Sequence, residues 1–359
     1  MSSETSNVIK KCVKCSEPGP YFGFDSKRAT YCKDHFVVMV KQKFFFALGK
    51  NRVFKDGKKR NPLLVFKGDT NSSFLVGIIS EGKSKTPYKK IDIDPTIIAV
   101  TDSDNLEDIK NFHQKTKESL KTTNWPLYFV HLAFILDDNF NNIEDTILGV
   151  DRITQLTKFC SLFKTPSAII EIKRILWDLL YFKLGKLFNS DKILLPDCSD
   201  ELGRVTCNAL CFGRGASLGD LTDVVDNRFE GVSLIRPLHD ISKKEINSLL
   251  SFGLFINWKI YEDNLFNNEN SNTIQSCNSH FLNSLIDAGF PATIPTLLSI
   301  SRKVMPNVKN NILPCKLCYT KYNSCDETQI MCRACFDFIC SEFEPDTNSQ
   351  EILEKIIKL

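Results

Sequence analysis

Hydrophobic positions along the chain fall into short unbroken runs separated by segments of helical period, the pattern of strands buried on both faces alternating with helices. The first such run, Leu63–Phe66, leads into a polar loop, Lys67–Ser73, and then into Phe74, Leu75, Ile78 and Ile79 at helical spacing. This stretch predicts a buried strand, a tight turn and a helix opening at Asn71 or Ser72. Further strands are predicted at Thr96–Val100, Leu127–Leu136, Lys192–Pro196 and Val232–Pro237, with helices at Ile143–Phe163, at Pro166–Phe188 and near Arg204–Phe212. Ser242 with Glu245 predicts a capping box opening another helix. Ser349–Leu359 has amphipathic helical period. The expected fold class is α/β, a parallel sheet with helices on both faces. Ligands of such sheets lie beyond the carboxyl ends of the strands, where the Lys67–Ser73 loop falls. A helix opening there aims backbone N–H groups and the positive end of its dipole at an anion. The same residues also fit an ordinary turn, with Ser72 as cap and Gly68 as bend.

Cysteine usage adds two modules to this body. Cys12 and Cys15 are separated by two residues, and Cys32 and His35 repeat that gap; near the other end Cys315, Cys318, Cys332 and Cys335 do the same. Paired knuckles of this spacing close a four-coordinate zinc site with no open position, so two structural zincs are expected. Cys325 and Cys340 are spare. The middle of the chain holds Cys160, Cys198, Cys207, Cys211 and Cys277 without a C-x2-C pair, and only Cys207 and Cys211 share a helical face. An Asn- and Ser-rich stretch, Tyr261–His280, reads as a mobile loop or boundary. The expected division is 1–40 as a zinc module, 41–260 as the α/β body, 261–310 as loop and helical linker, and 311–359 as zinc ribbon and helix.

Net charge is only +3, so nucleic-acid binding has to rest on local clustering. Lys41–Arg60 supplies it: Lys41, Lys43, Lys50, Arg52, Lys58, Lys59 and Arg60 lie among few acids, beside Phe44–Phe46. These residues are candidate contacts to a phosphate backbone. Arg214, between Gly213 and Gly215, is a further candidate, although a turn with a solvated arginine fits as well. His239 beside Asp240 reads as a local hydrogen-bonding residue. The polar amino terminus and the lack of an apolar run near 20 residues point to cytosol or nucleus, with no membrane partner.

The two cysteine modules, the loop KGDTNSS and the run GRGASLGDLTDVVDNRFEGVSLIRPLHDISKKEI together resemble the cytoplasmic tRNA 2-thiolation protein 2 family. The resemblance covers nearly the whole chain, from Cys12 to Cys335. It implies a Rossmann-like sheet related to the N-type ATP pyrophosphatases. It also implies a cytoplasmic heterodimer with a paralogous thiolation protein 1, and a role in moving sulfur from a ubiquitin-related modifier to the wobble uridine of tRNA. The nucleotide loop of the related enzymes reads S-G-G-x-D-S. Here the matching positions are Lys67, Gly68, Asp69, Thr70, Asn71 and Ser72, followed by Ser73. Asp69 repels a triphosphate while Lys67 attracts it, and Asn71 brings no charged metal ligand, which puts ATP binding in doubt and suits a non-catalytic subunit. Retained Gly68, Ser72 and Ser73 keep an active ATP-dependent sulfurtransferase as the alternative, and a zinc-ribbon scaffold for protein contacts is the third.

Overall fold

The computed structural model describes residues 10–25, 29–54, 60–83, 93–137, 150–253, 255, 258–260, 272–304, 312–324 and 329–357. Its centre is a six-stranded sheet in the order β5-β4-β3-β6-β8-β7. The strands are β3 (Leu63–Phe66), β4 (Thr96–Thr101), β5 (Leu127–His131), β6 (Lys192–Leu194), β7 (Val225–Asp226) and β8 (Ser233–Ile235). All neighbours are parallel except β7 with β8. The sheet is thus Rossmann-like, as expected, with one short antiparallel edge that the pattern did not reveal. Chain order reverses between β3 and β6, and it is at such a switch point that open α/β sheets bind their ligands.

Both faces are covered because the strand residues alternate. Leu63, Val65, Ile98 and Val100 enter one apolar cluster, while Leu64, Phe66, Ile97 and Ala99 enter the other. On the second face lie α1 (Lys33–Lys50), α2 (Thr70–Lys83), α3 (Leu106–Leu120) and α8 (Lys243–Ser251). The first face carries α4 (Val150–Ser161) and α5 (Pro166–Leu187), the latter started by the Thr165 cap and Pro166 in its first turn. A helical lobe of α6 (Ser199–Cys211), α7 (Leu218–Thr222), α9 (Ile274–Asp287) and α10 (Thr293–Ser301) packs at the side. Among the described residues no helix is long and apolar enough to cross a membrane.

The amino-terminal module is a hairpin, β1 (Tyr21–Phe22) and β2 (Thr30–Tyr31), leading into α1. The boundary expected after residue 40 falls inside α1, which runs unbroken to Lys50. The carboxyl-terminal module comprises β9 (Ile312–Pro314), β10 (Lys321–Asn323), α11 (Arg333–Glu342) and α12 (Thr347–Ile357). It shares the cluster of the first sheet face: Phe338 and Phe343 pack with Phe163, and the backbone of Phe163 bridges that of Phe343.

Three expectations need correction. Leu127–Leu136 is not one strand: it turns at His131, whose Nδ1 accepts the Ala133 N–H, and Leu132–Leu136 forms a buried 3-10 helix. The helix expected near Arg204 opens earlier, at Ser199. The described end of Tyr261–His280 is not a loop, because Thr273 caps α9 by accepting from the N–H of Ser276.

Candidate metal centres and the loop at the switch point

Gly68 takes a positive φ of 77°, which lets the chain leave β3 and turn directly into α2. The helix begins at Thr70, one residue before the expected opening, because Asp69 caps it. The Asp69 carboxylate accepts from the N–H of Ser72 at 2.8 Å and from its hydroxyl at 2.6 Å. The anion-binding end of α2 is therefore met by the chain's own carboxylate. Asn71, Ser72 and Ser73 are buried; Ser73 Oγ accepts the Trp258 N–H, and Gly68 O accepts that of Ile260. Asn71 Oδ1 is buried with no hydrogen-bond partner among the described residues.

Across the switch point Lys67 pairs with Asp197, just beyond β6, at 3.0 Å. Burial works against the Lys67 ammonium, yet Asp197 beside it lifts its pKa well above the usual lysine value. Burial likewise works against the Asp197 carboxylate, which Lys67 and Arg236 hold below its ordinary range. Glu201, in the first turn of α6, is pushed up to about 7, chiefly by burial. Arg236, at the end of β8, lies 3.7 Å from Asp197 and 3.5 Å from Asp226.

From Asp226 the alternation of sign continues inward. Asp226 pairs with Arg228 at 2.7 Å, Arg228 with Asp178 at 3.0 Å, and Asp178 with Arg174 at 3.2 Å. Arg174 then meets Glu171 at 2.9 Å, and Glu171 meets Arg214 at 2.5 Å. The chain of charges ends on sulfur, for Arg214 Nη1 donates to Cys335 Sγ at 3.1 Å.

Arg214 is thus corrected: expected to meet phosphate at the surface, it is 2% exposed. Gly213, at φ 68°, ends α6 and turns Arg214 inward, the backbone N–H of Arg214 bonding back to Ala209 O. Of the basic stretch, Lys41 pairs with Glu81 and Lys43 with the buried Glu245. Lys50, Arg52 and Arg60 are exposed, as are Phe45 and Phe46, with Lys50 Nζ 5.5 Å over the Phe46 ring, while Lys58 and Lys59 lie outside the described residues. His239 bonds Asp240 at 2.7 Å, the local role expected.

The eight predicted ligands form two groups, each with its ligand atoms within 4.8 Å of one another. Four sulfurs about 2.3 Å from a tetrahedral zinc lie about 3.8 Å apart. The observed separations match: 3.7 Å for Cys318 to Cys332 and 3.7 Å for Cys15 to Cys32. His35 turns Nδ1 to Cys12 and Cys32 at 3.6 and 3.2 Å. Both donor sets fit a thiophilic divalent cation. Cys325 is outside the described residues, and Cys340 is exposed.

The described residues of the body hold no third group of three such donors. Burial raises Cys198 well above the usual thiol value and pushes Cys160 up to about 11, keeping both neutral. The sequence reading missed Asp197, Glu201, Arg236 and Glu171. Arg236 directly follows β8 and Asp197 lies just beyond β6, and a search of strand carboxyl ends for charge finds them; Glu171, mid-helix, leaves no such signal.

No protein-family model matches the chain. The cytoplasmic tRNA 2-thiolation protein 2 of Caenorhabditis briggsae is 30% identical over 331 residues, spanning 91% of this chain and 92% of the relative. That of Caenorhabditis elegans is 32% identical over 300 residues, spanning 82% and 84%. The U34-tRNA thiolase NcsA of Methanococcus maripaludis, solved with its 4Fe-4S cluster, superposes with a TM-score of 0.59 over 90% of this chain and 95% of its own, at 16% identity. That likeness establishes the fold. The agreement in sequence over nearly full length makes the chain a member of the cytoplasmic tRNA 2-thiolation protein 2 family.

Proposed function

We propose that this chain is the non-catalytic subunit of a cytosolic complex that places sulfur on the wobble uridine of tRNAs for lysine, glutamate and glutamine. It pairs with thiolation protein 1, and the sulfur arrives on a thiocarboxylated ubiquitin-related modifier. The observation that carries the non-catalytic role is the Asp69 cap on α2. A phosphate entering there meets a carboxylate that already uses the Ser72 donors. At about 4 Å and an effective dielectric near 20 the repulsion of two unit charges is about 4 kcal/mol. The buried neutral thiols of Cys160 and Cys198 do not suit a sulfur carrier, which works as an accessible thiolate, whereas Cys211 and Cys277 are exposed. Exposed Lys50, Arg52 and Arg60, with exposed Phe45 and Phe46, suit a tRNA backbone and its unstacked bases. Both metal centres take zinc, which cross-links knuckles and supplies no chemistry of its own.

Mass spectrometry of tRNA nucleosides from cells lacking the chain tests the pathway. Loss of wobble 2-thiouridine is expected; its persistence removes the assignment. Assays of the purified chain, alone and with thiolation protein 1, test the division of labour. Adenylation or thiolation of tRNA by the chain alone overturns the non-catalytic role. Failure of the complex to bind tRNA in a salt-dependent manner favours a scaffold instead.

A further inference from the structure

Four thiolates around a divalent cation carry a formal charge of −2, and the C-terminal centre holds that charge out of water: Cys315 and Cys335 are fully buried, with Cys318 at 5% and Cys332 at 7% exposure. Arg214 meets it. Its Nη1 lies on Cys335 Sγ, its Nη2 is buried with no hydrogen-bond partner among the described residues, and its guanidinium carbon sits 5.7 Å over the Phe338 ring of α11. Arg228 adds a second contact, donating from Nη1 to the backbone O of Cys318 at 3.0 Å. From Lys67 to Arg214 the ion-pair chain holds one more cation than carboxylates, and its Arg214 end, paired with Glu171, also faces the sulfurs. Among the described residues no arginine bonds the ligands of the N-terminal centre; Cys12 accepts the N–H of Lys14, and Cys15 and Cys32 are half-buried, so water shares in the compensation.

We infer that Arg214 is the outer-sphere counter-charge of the C-terminal metal centre, a positioning residue through which the α/β body sets how tightly the ribbon holds its cation. The inference rests on the metal reading of the four cysteines.

The test uses the full chain loaded with Zn2+. Release is followed with a chromogenic zinc indicator during challenge by a thiol-specific reagent, the phases being assigned with Cys15→Ser. Wild type is expected to hold two zincs and to release the C-terminal one slowly. Arg214→Gln should speed the slow phase about 10- to 100-fold and leave the N-terminal phase unchanged. Arg214→Lys, which keeps a cation, should stay within about threefold of wild type. Glu171→Gln breaks the same ion pair but leaves Arg214 on the thiolate, so its slow phase should match wild type. Equal acceleration by Arg214→Gln and Glu171→Gln makes Arg214 a structural strut only and overturns the proposal. Should Arg214→Gln not fold, fast release by Arg214→Lys overturns it as well. Fewer than two zincs in wild type overturns the metal reading itself, a different failure.

Discussion

Cys32 and Cys332 each sit at the N-cap of a helix, and His35 and Cys335 each follow in its first turn. Both modules thus place two ligands at the positive end of a helix dipole and two on a preceding turn. Their surroundings differ. The N-terminal group rests against α1 and α8 through Tyr21, Phe36 and Phe252, with two of its thiols partly in water. Its C-terminal counterpart is sunk in the cluster that covers one sheet face, with two arginines of the body turned toward it. One coordination plan can therefore serve as a peripheral clasp or as part of the core, depending on what the body supplies around the sulfurs.

The largest test of that contrast removes one ligand at each end. Structural zinc contributes on the order of 10–16 kcal/mol in isolated finger peptides, comparable to the whole stability of a domain. Cys335→Ser should therefore uncover Phe163 and its neighbours and make the segment after residue 311 sensitive to limited proteolysis. Cys15→Ser should leave the thermal transition of the body within a few degrees of wild type. Equal damage from both substitutions breaks the comparison.

Asp226→Asn comes next. It leaves Arg228 and Arg236 buried beside a neutral amide, and urea unfolding should show a loss of about 3–5 kcal/mol. Within α11, Phe338→Ala should cost about 3–5 kcal/mol through the cavity it leaves. By contrast Phe336→Ala, at a position 49% exposed, should fall within about 0.5 kcal/mol of wild type.

At the switch point Asp69→Ala should cost about 0.5–2 kcal/mol of stability as a lost cap. It should also raise the affinity of the α2 end for ATP, which calorimetric titration reads. No gain in binding means that more than the cap closes this end.

The smallest expected effect is in pH. Burial raises the folded pKa of Glu201 from its ordinary value to about 7, so charging it weakens the fold as pH rises between the unfolded and folded values. Glu201→Gln should gain in melting temperature over wild type as pH goes from 5 to 8. Asp197 and Asp226 act in the opposite sense. Their depressed folded values give stability that is fully present above the usual carboxyl range and lost as pH falls through those values.

The sheet was legible because its strands are short apolar runs buried on both faces, and Leu63–Phe66 is a strand over the range read from the pattern. What pattern cannot distinguish is a buried strand from a buried 3-10 turn, since both are uniformly apolar. Leu127–Leu136 shows this: only the His131 ring, capping Ala133, breaks the run. The metal ligands were legible because knuckle spacing is local. The inward turn of Arg214 was not, because its partners Glu171 and Cys335 come from distant parts of the chain.

The backbone bridge between Phe163 and Phe343 has a consequence for biosynthesis. Glu344 and Lys164 extend it, donating to Leu162 O and Glu342 O. On the ribosome, α4 and α5 emerge long before the segment that covers them, so the apolar side of these helices waits uncovered through much of translation. During that interval the chain presents the sticky surface that chaperones recognise, and early termination of synthesis leaves it permanently bare.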